Sequence, residues 1–196
     1  MTTTDTTNAT VLDFLRQRHS TPSRLLGAPG PNEAQLREML QIAVCVPDHG
    51  RLAPWRFLRI AGDARTAIGS RLVEIHQREH PDATEAALEK EQSRFSFAPV
   101  VIAVVGRITA GHKVPEIEQR LSGGAVCLQL VQAATAMGFG AQWLTGWAAY
   151  HPEIHAFLGL ANHEEIIGFV HVGTANGEPP ASQRPEAATL LTDWHG

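Results

Sequence analysis

The stretch Pro99-Val-Val-Ile-Ala-Val-Val-Gly106 constrains the fold more than any other part of the chain. It is rich in β-branched residues, bounded by Pro and Gly, and apolar at both odd and even positions. A strand made from it therefore presents an apolar face on each side. Such a strand is central to a sheet, and each of its faces needs a covering layer. Helical patterns supply candidates for those layers. Asn32 followed by Gln35 resembles a capping box, and Leu36, Met39, Leu40, Ala43 and Val44 recur at helical spacing until Pro47 stops the pattern. Residues 11–18 read as a short helix capped by Asn8 or Thr10. A second helix is expected from a cap at Asp63 to about His80, a solvated charged one over 82–95, the longest over 116–138, and a short one from Pro152. Further strands are expected at 55–61, 140–146 and 165–173. Gly123 and Gly124 inside the longest helix cost roughly 1 kcal/mol each relative to Ala, which implies that a neighbour comes close to that backbone. Helices and strands do not alternate as a regular βαβ series. The expected class is therefore α+β, a central mixed sheet flanked by helices.

A chain of 196 residues fits one domain, 1–196, with a flexible Thr-rich start over 1–10 and an extended tail over 176–196. At 43% hydrophobic and 18% charged residues it has enough apolar surface to offset the entropy of ordering the backbone. The formal charge of −4 and the scattered Lys and Arg leave no footprint for a nucleic acid. The longest apolar run falls far short of the ~20 residues that a membrane helix needs, and the opening MTTTDTTNAT has no targeting pattern. Only Cys45 and Cys127 are present, without a C-x-x-C pair, which fits a reducing cytoplasm.

Common catalytic signatures do not account for this chain. His-Pro-Glu-Ile-His at 151–155 puts two imidazoles one helical turn apart but lacks the glutamate directly after the first histidine, so surface histidines are expected there and no metal. Gly138, Gly140 and Gly146 fail the dinucleotide fingerprint because the third glycine is three positions late and no helix follows. There is no G-x-S-x-G elbow, P-loop or paired catalytic carboxylate.

Five clusters remain: Arg-His-Ser at 18–20, Pro-Asp-His-Gly-Arg-Leu-Ala-Pro-Trp at 47–55, 111–119, Gly-Phe-Gly-Ala-Gln-Trp-Leu-Thr-Gly at 138–146, and Ser-Gln-Arg-Pro-Glu at 182–186. Arg18 and Ser20 at a helix end offer a fork of N–H donors and a hydroxyl suited to a phosphate, although Arg18 also suits plain neutralisation of a helix C-terminus. Two prolines and a glycine around Asp48 and His49 make a rigid loop, which would suit a flat ring held against backbone. Asp48 is also a natural turn residue and His49 an ordinary loop histidine. The 138–146 segment serves equally as a ring wall or as a buried strand with an aromatic anchor.

Together these clusters resemble the FMN-dependent nitroreductase family, in particular its short bacterial subgroup, which carries Pro-Asp-His before a Pro-Trp strand and a His-Lys-Val-Pro loop. The likeness runs from about Val11 to Pro185. It implies a nitroreductase-like fold in an intertwined homodimer with FMN at the interface, and NADH or NADPH as hydride donor. It also implies ping-pong transfer to a small flat acceptor such as a nitroaromatic or quinone, with no side chain required as nucleophile or general acid, hence no catalytic residue. Carried over residue by residue, it assigns Arg18, His19 and Ser20 to the flavin, with Arg184 reaching the phosphate. Cys45 and His49 would come from across the interface, Trp143, Leu144 and Thr145 would meet the ring, and Ala133, Ala134, Thr135, Ala136, Met137 and Gly138 the nicotinamide. Cys45 and Leu144 stand where relatives tend to have arginine, and Ala53 where glutamine commonly precedes Pro-Trp. A flavin store without turnover and a flavin dehydrogenase of the same fold are the alternative functions.

Overall fold

The computed structural model describes residues 8–181 and 183–196; most of the Thr-rich start, together with Ser182, lies outside the described residues. Helix α1 (Ala9–Gln17) begins within the stretch expected to be flexible, because Asn8 Oδ1 accepts the Val11 N–H at 3.2 Å. A two-residue strand β1 (Leu26–Gly27) precedes α2 (Glu33–Ala43), whose capping box is formed by Gln35 N–H to Asn32 Oδ1 at 2.9 Å and Asn32 N–H to Gln35 Oε1 at 3.0 Å. Then follow β2 (Trp55–Ala61), α3 (Asp63–Glu79), α4 (Glu85–Ser93), β3 (Val100–Arg107), α5 (Glu116–Ala136), β4 (Gly140–Leu144), α6 (Pro152–Phe157) and β5 (Glu164–Ala175). The cap of α3 is Gly62 rather than Asp63, which sits in the first turn, where its charge complements the helix dipole. The described residues after Ala175 contain one short 3₁₀ turn, Ala187–Leu190, and are otherwise irregular and largely exposed.

Central strand β3 meets the demand made by its sequence. Val100, Ile102 and Val104 pack with Leu36, Met39 and Ala43 of α2 and with Val126, Cys127, Leu130 and Val131 of α5. Val101, Ala103 and Val105 point the other way, among Ile68, Leu72 and Ile75 of α3, Phe95, and Ile154 of α6. The chain is thus a three-layer sandwich with two cores separated by the sheet.

The sheet runs β1-β5-β3-β2, with β4 pairing the same edge of β5 as β1. Every ladder among the described residues is antiparallel, where the sequence reading expects a mixed sheet. Two helices, α3 and α4, join β2 to β3, so the chain reverses an odd number of times and returns antiparallel. The single crossover helix α5 does bring β4 back in the direction of β3, but β5 inserts between them and converts both neighbours to antiparallel pairs. Gly123 explains part of the glycine pair in α5: a Cβ there would lie 3.0 Å from Ile167 on β5, so the helix sits tightly on the sheet.

Candidate functional site

Alternation along β4 gives one cleft its wall. Gln142 and Leu144 oppose His171 and Phe169 of β5 and face the α3–α4 side, whereas Ala141 and Trp143 oppose Val172 and Val170 and face α5. Gln142 and Leu144 form one wall of a cleft of about 650 Å3, with Pro22, Ser23 and Arg24 beside them and Lys90, Arg94 and Phe97 opposite. Its volume falls within the range of small-molecule sites, roughly 300–1,000 Å3. The Ser23 N–H donates to Gln142 Oε1 at 2.5 Å, which turns the amide so that its N–H groups remain for another acceptor.

Arg94 is held from behind. Its Nε and Nη2 donate to Glu91 Oε2 and Oε1 at 2.8 and 2.6 Å, and Trp147 Nε1 donates to Glu91 Oε2 at 3.1 Å. The expectation that this helix is solvated fails at Glu91, which is only 5% exposed. Burial pushes its carboxyl up, but Arg94, Trp147 and the nearby His76 more than reverse that, so it lies below the ordinary carboxylate value. His171 lies beside Gln142 at 1% exposure. Burial, and then the charge of Arg94, push its pKa down to about 4, and among the described residues its Nδ1 has no hydrogen-bond partner.

The stretch just before Pro22 makes a cationic crevice. Arg18 and His19 line it with Arg184 of the tail, in a space of about 250 Å3. Arg184 Nη2 donates to the Arg18 carbonyl at 2.9 Å, and His19 Nδ1 lies 3.0 Å from the Gln17 carbonyl. Burial and the neighbouring Arg184 charge lower the Arg18 pKa, and among the described residues no carboxylate lines the crevice. Ser20 is exposed, and Thr21 N–H donates to the Ala141 carbonyl at 2.9 Å, which ties residues 18–24 to β4.

Cys45 and His49 stand elsewhere in a single copy. Their loop is braced by Asp48 Oδ2, which accepts the Ala53 N–H at 2.8 Å, and it is docked on α5 by Ser122 Oγ donating to the Pro47 carbonyl at 2.6 Å and by His49 Nδ1 at 2.6 Å from Glu118 Oε2. Arg51 and Ala53 have φ of 53° and 46°, a left-handed geometry that costs non-glycine residues energy. His49 and Leu121 share a crevice of about 300 Å3. Along α5 the apolar side chains Ile117, Leu121 and Leu128 are exposed, so this loop borders an uncovered apolar face. Cys45 Sγ is exposed and bonded to the Gln41 carbonyl, whereas Cys127 is buried in the core.

The remaining expected positions are not among the residues that line the cleft, although Thr145 directly follows Leu144. Trp143 lies across Gly168, where a Cβ would come within 1.9 Å of its Nε1, and reaches Gly124, so its ring belongs to the α5 side. Thr145 is half-buried just past the end of β4. Ala133 and Ala134 are core residues under the sheet, Thr135 Oγ1 donates to the Val131 carbonyl, and Ala136 to Gly138 turn the chain into β4. Packing accounts for the burial of Ala133 and Ala134, while Ala136 and Gly138 are exposed. The sequence reading missed Arg94, Lys90, Phe97, Ser23 and Gln142. Gln142 was recoverable, being two positions before Leu144 on the same strand face; Arg94 reaches the cleft only through the packing of α4, which leaves no local signal. The histidines at 151 and 155 have structural partners: His151 Nδ1 accepts the Glu153 N–H and its Nε2 meets Glu79, and His155 Nε2 meets the Ala149 carbonyl.

The family model described as "Nitroreductase family" matches residues 15–174. The chain belongs to the nitroreductase family. It is 32% identical over 163 residues to the Escherichia coli K12 protein named "Putative NAD(P)H nitroreductase YdjA", covering 83% of this chain and 87% of YdjA. Among solved structures, a nitroreductase-like family protein from Bacillus cereus superposes with a TM-score of 0.81 at 20% identity, covering 98% of this chain and all of that one. A Desulfovibrio desulfuricans protein described as a nitroreductase and solved in complex with FMN gives 0.74 at 22% identity, covering 97% and 100%. No helix among the described residues is long and apolar enough to cross a membrane.

Proposed function

We propose that the protein is a cytoplasmic, homodimeric, FMN-dependent NAD(P)H oxidoreductase that passes a hydride to a small flat acceptor such as a nitroaromatic or quinone. The observation that carries this reading is that one segment, residues 18–24, contributes to two recesses of complementary chemistry. The first gathers Arg18 and Arg184, a donor set that suits a phosphate. The second combines the apolar faces of Pro22, Phe97 and Leu144 with N–H donors of Arg94 and Gln142, a set that suits a flat ring with carbonyl edges. The donors fit FMN, and the FMN bound by the Desulfovibrio relative and the NAD(P)H in YdjA's name support the same cofactors here.

Bound FMN would supply the hydride-accepting centre, and NADH or NADPH the hydride, in a ping-pong cycle. The chain's own residues bind and orient. Arg18, Arg184, His19 and Ser20 hold the phosphate end, Leu144 and Thr145 border the ring, and Trp143 buttresses β4 from the α5 side. Cys45 and His49 join from the second subunit. The exposed α5 stripe of Ile117, Leu121 and Leu128 supports that dimer, because burying it against its own copy would carry the adjoining Cys45–His49 loop to the partner. No nucleophile or general acid is needed.

The test is an absorbance spectrum of the purified protein after incubation with FMN, followed by anaerobic addition of NADH or NADPH. A bound yellow chromophore that bleaches with the nicotinamide, and recovers with a quinone, is expected. A protein that takes up no FMN refutes the reading, and one that binds FMN but oxidises no NAD(P)H is a store rather than a reductase.

A further inference from the structure

We infer that Glu91 is a positioning residue that fixes Arg94 with one N–H edge toward the cleft, and that this pair sets how strongly the site prefers the hydride-loaded cofactor to the oxidised one. The inference rests on the flavin reading of the cleft. Arg94 has three nitrogens with N–H groups; Glu91 takes Nε and Nη2, and among the described residues Nη1 alone has no bond. Glu91 cannot rotate freely, because it is buried and its Oε2 also receives the Trp147 indole N–H. Gly146 completes the clamp: a Cβ at that position would lie 3.1 Å from Arg94 Nη1, so a larger residue would crowd the one free edge.

An arginine at the rim of a cleft ordinarily samples many rotamers, and ordering it on binding consumes affinity. Here the ordering is done by the fold, and the planar fork is already aimed. The electrostatics have a definite sign. Hydride transfer from NAD(P)H brings two electrons and one proton to the ring and releases NAD(P)+, so the ring gains one negative charge unless a second proton follows. The guanidinium, nearer the cleft, favours that charge; the Glu91 carboxylate behind it opposes it. The two members of the pair therefore act in opposite directions on the cofactor's midpoint potential, although they act together on the fold. A merely structural ion pair would not separate in this way.

The experiment compares wild type, Arg94→Gln, Arg94→Lys and Glu91→Gln, each loaded with FMN, by midpoint potential against a reference dye and by FMN affinity from flavin fluorescence. Arg94→Gln should weaken the preference for the reduced cofactor about tenfold, which is about 30 mV lower for a two-electron couple. Glu91→Gln keeps an amide oxygen that can still hold Arg94 in place while removing the opposing carboxylate charge, so it should raise the potential, and Arg94→Lys should stay closer to wild type than Arg94→Gln does. Equal potentials in all four proteins, or shifts of the same sign for Arg94→Gln and Glu91→Gln, overturn the inference while leaving the flavin reading intact. If Glu91→Gln does not fold, the Gln and Lys variants of Arg94 decide: identical potentials for both overturn it. Wild type that binds no FMN removes the flavin reading and the inference with it.

Discussion

His171 makes the stability of this protein sensitive to mild acid. Its imidazole is 1% exposed, Nδ1 has no partner among the described residues, and burial followed by the Arg94 charge holds its pKa at about 4, against an ordinary 6.5. The folded state therefore keeps the ring neutral, while the unfolded chain takes up a proton as the pH falls below about 6.5. A histidine whose folded pKa is depressed destabilises the fold progressively from pH 6.5 down to about 4, and below that the loss levels off. At 1.36 kcal/mol per unit, the difference of about two and a half units corresponds to at most about 3 kcal/mol by pH 4, and to roughly 2 kcal/mol between pH 7 and pH 5. Against a typical domain stability of about 5–15 kcal/mol this is large. Urea unfolding of wild type and His171→Phe at pH 7, 6, 5 and 4 isolates the effect, because the contributions of all other groups cancel in the comparison. Phe offers a ring of similar size among Phe95 and Phe169 and leaves no polar atom unsatisfied. The variant should gain on wild type as the pH drops, by roughly 2 kcal/mol at pH 5 relative to its difference at pH 7. Parallel pH profiles for the two proteins would show that the imidazole is not held neutral and would refute the reasoning.

Gly69→Ala should lower stability by on the order of 1 kcal/mol in urea unfolding: the helix gains up to ~1 kcal/mol in propensity, but the new Cβ would stand 2.3 Å from the Gln92 carbonyl of α4, an overpacking cost of about 1–3 kcal/mol. Arg18→Gln and Arg184→Gln should each weaken FMN affinity roughly 10- to 100-fold, the worth of a charge-assisted hydrogen bond, as read by fluorescence titration. The bond from Arg56 holds the Glu164 carboxyl at about 2, against burial that pushes it up; its stabilisation is therefore complete above 4.5 and lost as the pH falls through 2, and Glu164→Gln should flatten acid unfolding in that window. Leu121→Arg should shift the sedimentation of the protein from dimer to monomer while leaving the circular dichroism of the folded subunit unchanged, since Leu121 is exposed in the single copy.

Features that depend on near neighbours in the chain were legible in the sequence. The Asn32–Gln35 box starts α2, and the two apolar faces of 100–105 required the two cores that the structure contains. What depends on tertiary assembly was not. Nothing in residues 165–173 says that they insert between β3 and β4, so the directions of the ladders were out of reach. Glu91 lies in a charged, Ala-rich run that has every mark of a solvated helix, and only the packing of Trp147 against α4 buries it. Arg18 and Arg184 meet although 166 positions apart, because the tail folds back over the end of α1. Within 133–138, Ala133 and Ala134 lie in the core, where small residues let α5 settle onto the sheet, whereas Ala136 and Gly138 are exposed; composition cannot distinguish these settings from ligand contact.

β5 pairs with β1, β3 and β4, yet it is the last strand of the chain to be made. While the ribosome is still translating, about four fifths of the polypeptide has emerged with β3 open along one edge and β4 without any partner strand. The nascent chain must therefore wait for residues 164–175 before its sheet can close, and a stop codon placed ahead of Ala175 should yield an insoluble fragment rather than a smaller folded protein.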